Sequence, residues 1–155
     1  MREFIDHLVW QKGRGVFMNV AVRYYTKSGN TKKLAEAVAN AVGVKAETTD
    51  KALTQDVDIL FLCSSVYAYG VDESVKRFIS GIHVNVGKVV NVSTAALVKS
   101  TYKQVGKLLK EKGILHAQEE FYCKGSFGPI HKGRPNEQDC KEAAEFAKKI
   151  VGKKA

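Results

Sequence analysis

Residues 18–43 read MNVAVRYYTKSGNTKKLAEAVANAVG, three local patterns in unbroken succession. The first, MNVAVRYY (18–25), is rich in β-branched and aromatic residues and predicts a strand. TKSGNT (26–31) gathers hydroxyls, a glycine and an asparagine, residue types that build tight turns. KKLAEAVANAVG (32–43) sets Leu34, Val38, Ala41 and Val42 on one helical face, with Gly43 placed to end the helix. A strand that runs through a short polar loop into a helix opens a βα unit.

The alternation continues along the chain. VKAETT (44–49) predicts a weak, polar, peripheral strand. DILFLCSS (58–65) and KVVNVST (88–94) are continuous apolar runs, as expected of strands buried on both faces. ESVKRFISGI follows with Val75, Phe78, Ile79 and Ile82 at helical spacing. TYKQVGKLLKEKG places Tyr102, Val105, Leu108 and Leu109 on one side and stops at Gly113. AQEEFYCKG (117–125) predicts the last strand, and Asn136 is the N-cap of a closing helix. Five strands alternating with four helices imply an α/β three-layer sandwich, a parallel sheet with helices on both faces. With the weak second strand at the edge, the order is 2-1-3-4-5. The chain then changes direction between strands 1 and 3, and a crevice opens there at the strands' carboxy ends. The loops 26–31, 64–70 and 93–99 all converge on it. Residues 1–17 fall outside the alternation and are read as an N-terminal extension to a domain of residues 18–155. The lesser alternative is a small amphipathic helix using Ile5, Leu8 and Val9.

At 155 residues and 45% hydrophobic, the chain suits one domain with one sizeable core. No apolar run approaches the roughly 18 to 20 residues of a membrane helix, and the first seventeen residues do not read as a signal peptide. Three cysteines (Cys63, Cys123, Cys140) form no disulfide framework, so a reducing, cytoplasmic setting is expected. Net charge is +9, from 25 Lys+Arg against 16 Asp+Glu. The cations are scattered along helices rather than gathered with aromatics, which points away from nucleic acid. They favour acidic partners or substrates.

The loop 26–31 has the makings of an anion cradle. A helix amino terminus offers about four unpaired N–H groups and the positive end of its dipole. Thr26, Ser28 and Thr31 add hydroxyl donors, Lys27 adds a charge, and Asn30 can lock the loop with its amide. Gly29 lets the backbone approach the ligand's oxygens. An ordinary strand–turn–helix with a Ser/Thr cap has the same letters. A P-loop needs a second glycine and a following lysine, and a dinucleotide fingerprint needs three glycines, so neither fits. A phosphatase loop would need a cysteine nucleophile, and Cys63 lies at the end of a strand without a nearby arginine. The four histidines are dispersed and show no metal-ligand spacing.

TKSGNT after a first strand resembles the phosphate signature of the flavodoxin family, Thr/Ser-x-Thr/Ser-Gly-Asn-Thr. The same strand order with FMN at the switch point is the known example of that fold. The likeness extends over residues 18 to about 151. The distal EFYCKGSFG…KGRPNEQD…FA segment is similar to small members, and no long insertion interrupts the last strand, which matches the short-chain type. The resemblance implies that Thr26, Lys27, Ser28, Gly29, Asn30 and Thr31 hold the FMN phosphate. It implies that the second loop, Ser65, Val66, Tyr67, Ala68, Tyr69 and Gly70, carries the inner flavin contact. Tyr67 is the favoured stacking ring, and Gly70 or the backbone at Ala68 reaches the flavin N5 edge. Ser93, Thr94 and Ala95 would supply backbone contacts to the pyrimidine edge. The third loop, NVSTAALVKST, departs from the family in having no aromatic for the outer flavin face. Phe127 is a candidate from the next loop, and Tyr102 falls at a helix core position.

By resemblance the chain is an FMN-binding electron-transfer protein that shuttles single electrons between a reductase and an acceptor enzyme. The alternative is a small FMN-dependent quinone or NAD(P)H oxidoreductase, and a third reading is a fold relative that binds another phosphate or nothing. The expected partners are redox proteins with acidic docking surfaces, met by a monomer, with no nucleic acid and no membrane.

Overall fold

The computed structural model describes residues 8–11, 16–66, 70–97 and 99–153. In chain order the elements are β1 (Leu8–Gln11), β2 (Val16–Tyr24), α1 (Asn30–Val42), β3 (Ala46–Thr48), β4 (Val57–Ser65), α2 (Glu73–Ser80), β5 (Val86–Ala95), α3 (Tyr102–Lys112), β6 (His116–Lys124) and α4 (Glu137–Gly152).

Parallel pairing runs β3–β2–β4–β5–β6. The register aligns Val22 with Phe61, Phe61 with Val90, and Val92 with Phe121. This is the order expected from the sequence, with the weak strand at the edge. Side chains alternate across a pleated strand, so the continuous apolar run of β4 feeds two cores. Ile59, Phe61 and Cys63 join Leu34, Val38, Ala143 and Ile150 on the side of α1 and α4. Leu60 and Leu62 join Val75, Phe78, Val105 and Leu109 on the side of α2 and α3. Gly87 lets β5 start close against β4, because a Cβ there would stand 2.4 Å from the Asp58 carbonyl oxygen.

The amino terminus corrects the sequence reading, which starts the first parallel strand at Met18 and leaves residues 1–17 outside the sheet. The strand begins at Val16, and Leu8–Gln11 pairs antiparallel with its first half, giving a sixth strand. Val9 is buried in the α1/α4 core. Trp10 and Phe17 stand opposite each other with ring centroids 4.9 Å apart in edge-to-face contact. A cross-strand aromatic pair of this kind adds about 0.2–1 kcal/mol to a short hairpin. The suggested helix over Ile5, Leu8 and Val9 is excluded at Leu8 and Val9, and Ile5 lies outside the described residues.

Caps set the helix ends. Asn136 and Asp139 form a reciprocal capping box on α4, and Asp72 accepts from the Ser74 amide at the start of α2. Gly43 and Gly113 close α1 and α3 in left-handed conformation. Among the described residues, no helix is long and apolar enough to cross a membrane.

Leu34 is fully buried, whereas Leu115 is 64% exposed. Leu34→Ala should cost about 2–5 kcal/mol and Leu115→Ala no more than about 0.5 kcal/mol. Urea unfolding midpoints would show it, and equal effects would contradict this placement of the core.

Candidate functional site

Because β2, β4, β5 and β6 are parallel, their carboxy ends share one rim. Backbone hydrogen bonds carry the pairing past the strand ends and draw the loops together. Tyr25 N donates to Cys63 O at 3.2 Å, Val66 N to Thr94 O at 3.4 Å, and Gly125 N to Ala95 O at 3.2 Å. Gly125 permits the last approach, since a Cβ there would lie 3.0 Å from the Thr94 Cβ.

The loop 26–29 delivers its residues to the start of α1. Gly29 is the N-cap residue at φ 91°, a left-handed conformation that favours glycine, and α1 has no side-chain cap and no acid in its first turn. Helix geometry leaves the Asn30, Thr31 and Lys32 amides without intrahelical acceptors. Thr26 Oγ1 accepts from Gly29 N at 2.9 Å and so holds the turn itself. The Asn30 side chain ties the loop to a distant segment. Its Nδ2 donates to Ser126 O at 3.2 Å and Ser126 Oγ at 3.1 Å. Thr31 Oγ1 meets Thr94 Oγ1 at 3.3 Å in the interior.

A cleft opens between these parts, lined by Ser28, Asn30, Ser65, Thr94, Ser126 and Phe127, with Val66, Ala96 and Gly125 between them. Its enclosed part is about 30 Å³, close to one water's share of liquid volume, so a ligand here lies mostly on an open ledge. Ser65 is buried, and its Oγ has no hydrogen-bond partner among the described residues. An orphaned buried hydroxyl costs about 1–3 kcal/mol unless something satisfies it. A larger hollow of about 650 Å³ lies beside β1, bounded by Leu8, Trp10, Ala41 and Val151. It has no convergent polar groups apart from Lys148 and Asn40, so volume alone does not mark the site.

The expected site residues divide accordingly. Thr26, Ser28, Gly29, Asn30 and Thr31 surround the uncapped helix start, and Lys27 is exposed on the same loop. Ser65, Val66 and Thr94 line the cleft. Gly70 lies at φ 118°, which again favours glycine. Ala95 closes β5 as a buried residue. Ser93 faces the interior instead, where its Oγ accepts from Thr101 N at 3.4 Å. Tyr67, Ala68 and Tyr69 lie outside the described residues. Tyr102 turns towards β6, its ring stacked on His116 at 4.1 Å and its hydroxyl donating to Ala117 O at 2.8 Å.

Sequence reasoning missed two supports. Thr101 joins Ser64 and Asn91 in a buried network at 2.9 Å on each side, which pins the loop after β5. Asn91 stands inside an otherwise apolar run, and that polar interruption was its signal. The other support is Ser126, flanked by glycine and phenylalanine just after the last strand. Its segment is braced in turn. Ser126 N donates to Arg134 O at 2.9 Å, and Arg134 grips Asp139 through Nε at 2.6 Å and Nη2 at 2.7 Å.

Electrostatics set the other groups apart. Arg23 is buried away from the cleft, paired with Glu47 at 3.3 Å and donating to Lys51 O at 2.8 Å. Burial lowers its pKa, and Glu47 opposes that shift. Burial pushes the Cys63 thiol up and the Cys123 thiol up to about 12, so neither is a ready nucleophile. Among the described residues, no group of three or more His, Cys, Asp and Glu is placed to hold a metal.

No family model matches the sequence. A protein of Methanocaldococcus jannaschii, uncharacterized protein MJ0298, is 32% identical over 136 residues, covering 79% of this chain and 90% of its own length. Flavodoxin 1 from Bacillus cereus superimposes with a TM-score of 0.65 at 13% identity, over 88% of this chain and 99% of that one. A flavodoxin from the domain Archaea gives 0.64 at 16% identity, over 85% and 95%.

The Arg134 hydrogen bonds hold the Asp139 carboxyl below its ordinary 3.8; burial opposes the shift and the Asn136 amide adds to it. A depressed native value means that Asp139 stabilises the fold above pH 3.8 and loses that contribution as pH falls through the native value. Asp139→Asn should therefore cost about 1–3 kcal/mol at pH 7, with the gap to the parent protein closing in strong acid. Thermal unfolding from pH 7 to pH 2 would measure it. A gap that widens in acid would contradict the assignment.

Proposed function

This chain belongs to one family with the Methanocaldococcus jannaschii protein MJ0298 and has a flavodoxin-like fold, and from that premise we propose that it binds FMN at the α1 rim and passes single electrons between a reductase and an acceptor enzyme. The observation that carries the reading is the uncapped, acid-free start of α1 at Gly29, beside the orphaned Ser65 hydroxyl. The helix start favours an anion, and the hydroxyl calls for a hydrogen-bonding group.

The residues fit the phosphate end of the cofactor. The amides of Asn30, Thr31 and Lys32 point along the helix axis towards an anion. Ser28 supplies a hydroxyl at the cleft wall, and Asn30 holds the ledge against the loop that carries Ser126. Ser65 would offer its hydroxyl from the cleft wall. Leu97 and Phe127 are exposed apolar residues on the two later loops, and Phe127 lines the cleft itself. When bound, FMN supplies the one-electron chemistry, and the protein's part is to hold it, orient it and set its potentials.

The test is a visible spectrum of the purified protein with and without added FMN, followed by fluorescence titration. Quenching of flavin fluorescence at one equivalent is expected, and a protein that leaves it unchanged would remove the reading. Ser65→Ala should weaken FMN about three- to tenfold, the worth of one hydrogen bond, without lowering the melting temperature of the FMN-free protein. A purely structural role for Ser65 would show the reverse pattern. Absence of NAD(P)H oxidation by the protein alone supports the carrier; steady turnover would favour the small oxidoreductase instead.

The net charge of +9 favours negative charge on the reduced cofactor, within the roughly 8 Å reach of unscreened fields. The second one-electron couple should lie at a less negative potential than in an acidic protein of this fold. Redox titration would decide, and a very low second potential would overturn the expectation.

A further inference from the structure

The geometry points to a docking face for an acidic protein partner on the loops after β5 and β6, beside the cleft. The inference rests on the proposed electron-carrier function, and it adds the chemistry of the partner and the residues that meet it.

Four of the large exposed apolar residues lie at this end of the sheet. Leu97 is 78% exposed and Phe127 60%, with Ile130 and Tyr122 beside them. Two of the four are presented by a fixed turn. Phe127 and Ile130 exchange backbone hydrogen bonds at 2.9 and 3.0 Å around Gly128 and Pro129, with Gly128 at φ 57°. Residues directly opposite in an antiparallel pair project to the same side. The turn is braced behind by Ser126 N to Arg134 O and by the Arg134–Asp139 pair. Apolar side chains held rigidly in water gain on being covered, and little ordering entropy opposes that.

The loops that carry them have one sign of charge, with Glu120 and Glu137 at the borders of the last one. Residues 25–35, 95–110 and 121–136 contain no aspartate or glutamate. Lys99, Lys124 and Lys132 are exposed around the apolar residues. Three nearby acids are engaged, Asp139 by Arg134, Asp72 by the Ser74 amide and Glu73 by Lys76, which leaves Glu120 and Glu137 at the margin of the face. An apolar centre with a cationic rim selects a partner with the complementary layout, apolar within an acidic rim.

Two other occupants fit less well. A second copy would bring another +9 chain against the same cations. Single-stranded nucleic acid would need free aromatic faces for its bases. Lys99 Nζ lies over the Tyr122 ring at 5.0 Å, Leu97 and Ile130 are aliphatic, and Phe127 offers a single exposed ring where a run of stacked bases needs several.

The experiment titrates the ¹⁵N-labelled full chain, with and without FMN, with a synthetic peptide of glutamates flanking one leucine and one phenylalanine. A (dT)₁₂ oligonucleotide is run in parallel. Peptide-induced amide shifts should cluster on 97–99 and 124–132 in both preparations. The affinity should fall about tenfold between 50 and 300 mM salt, as expected when charges are screened. The Lys99→Glu/Lys132→Glu double variant should lose about tenfold at low salt with its melting temperature and flavin spectrum unchanged. Should that variant fold poorly, the salt series on the parent protein tests the same charges. Shifts at Leu8–Phe17 instead, no shifts, a salt-independent affinity, or shifts from the oligonucleotide alone would each overturn the proposal. FMN binding is read separately, so a protein that docks the peptide without binding flavin would keep this face and lose the carrier function.

Discussion

Parallel pairing is the constraint from which the rest follows. Strands that run the same way cannot be joined by tight turns, so each connection must cross over, through α1, α2 and α3 in three cases and through the loop 49–56 between β3 and β4. The same rule gathers every strand's carboxy end, and the loop beyond it, on a single rim. β2, β4, β5 and β6 obey it over registers such as Val22–Phe61–Val90. The cradle at α1, the orphaned Ser65 and the turn at Phe127 come from sequence segments far apart. They are neighbours because the sheet has no other place to put them.

Much of this was legible because the informative patterns are local. The two-sided burial of β4 shows as an unbroken apolar run, and the ends of α1 and α3 are written in Gly43 and Gly113. Asn136 announced the α4 cap, which the structure completes with Asp139. The hairpin of β1 was not legible. LVWQ is four residues long, and its stability comes from Val9 in a distant core and from Trp10 against Phe17. Such contacts leave no periodic trace. The cradle was readable as a motif, but its support was not. Nothing local in Asn30 says that its amide reaches a residue 96 positions away.

The cleft wall is built of hydroxyls and amides, with the cations Lys27, Lys32 and Lys33 exposed at the helix start. Other positive side chains stand farther out, on Lys99, Lys124 and Lys132. Under the proposed function, short-range hydrogen bonds would hold the ligand and longer-range charge would act on whatever approaches. The two scales separate affinity for a small anion from recognition of a large surface.

The hydrogen bond from Asn30 to Ser126 joins these two scales. It is a shared strut: one end belongs to the anion cradle, the other to the segment that presents Phe127 and Ile130. A ligand that stiffens the cradle also steadies the turn. By thermodynamic reciprocity, a macromolecule that clasps the turn then changes the ligand's affinity by the same factor as the ligand changes its own. If the proposed ligand and the proposed partner both bind, the strut would make occupancy and docking two readings of one coupling free energy, with no rearrangement of the sheet needed.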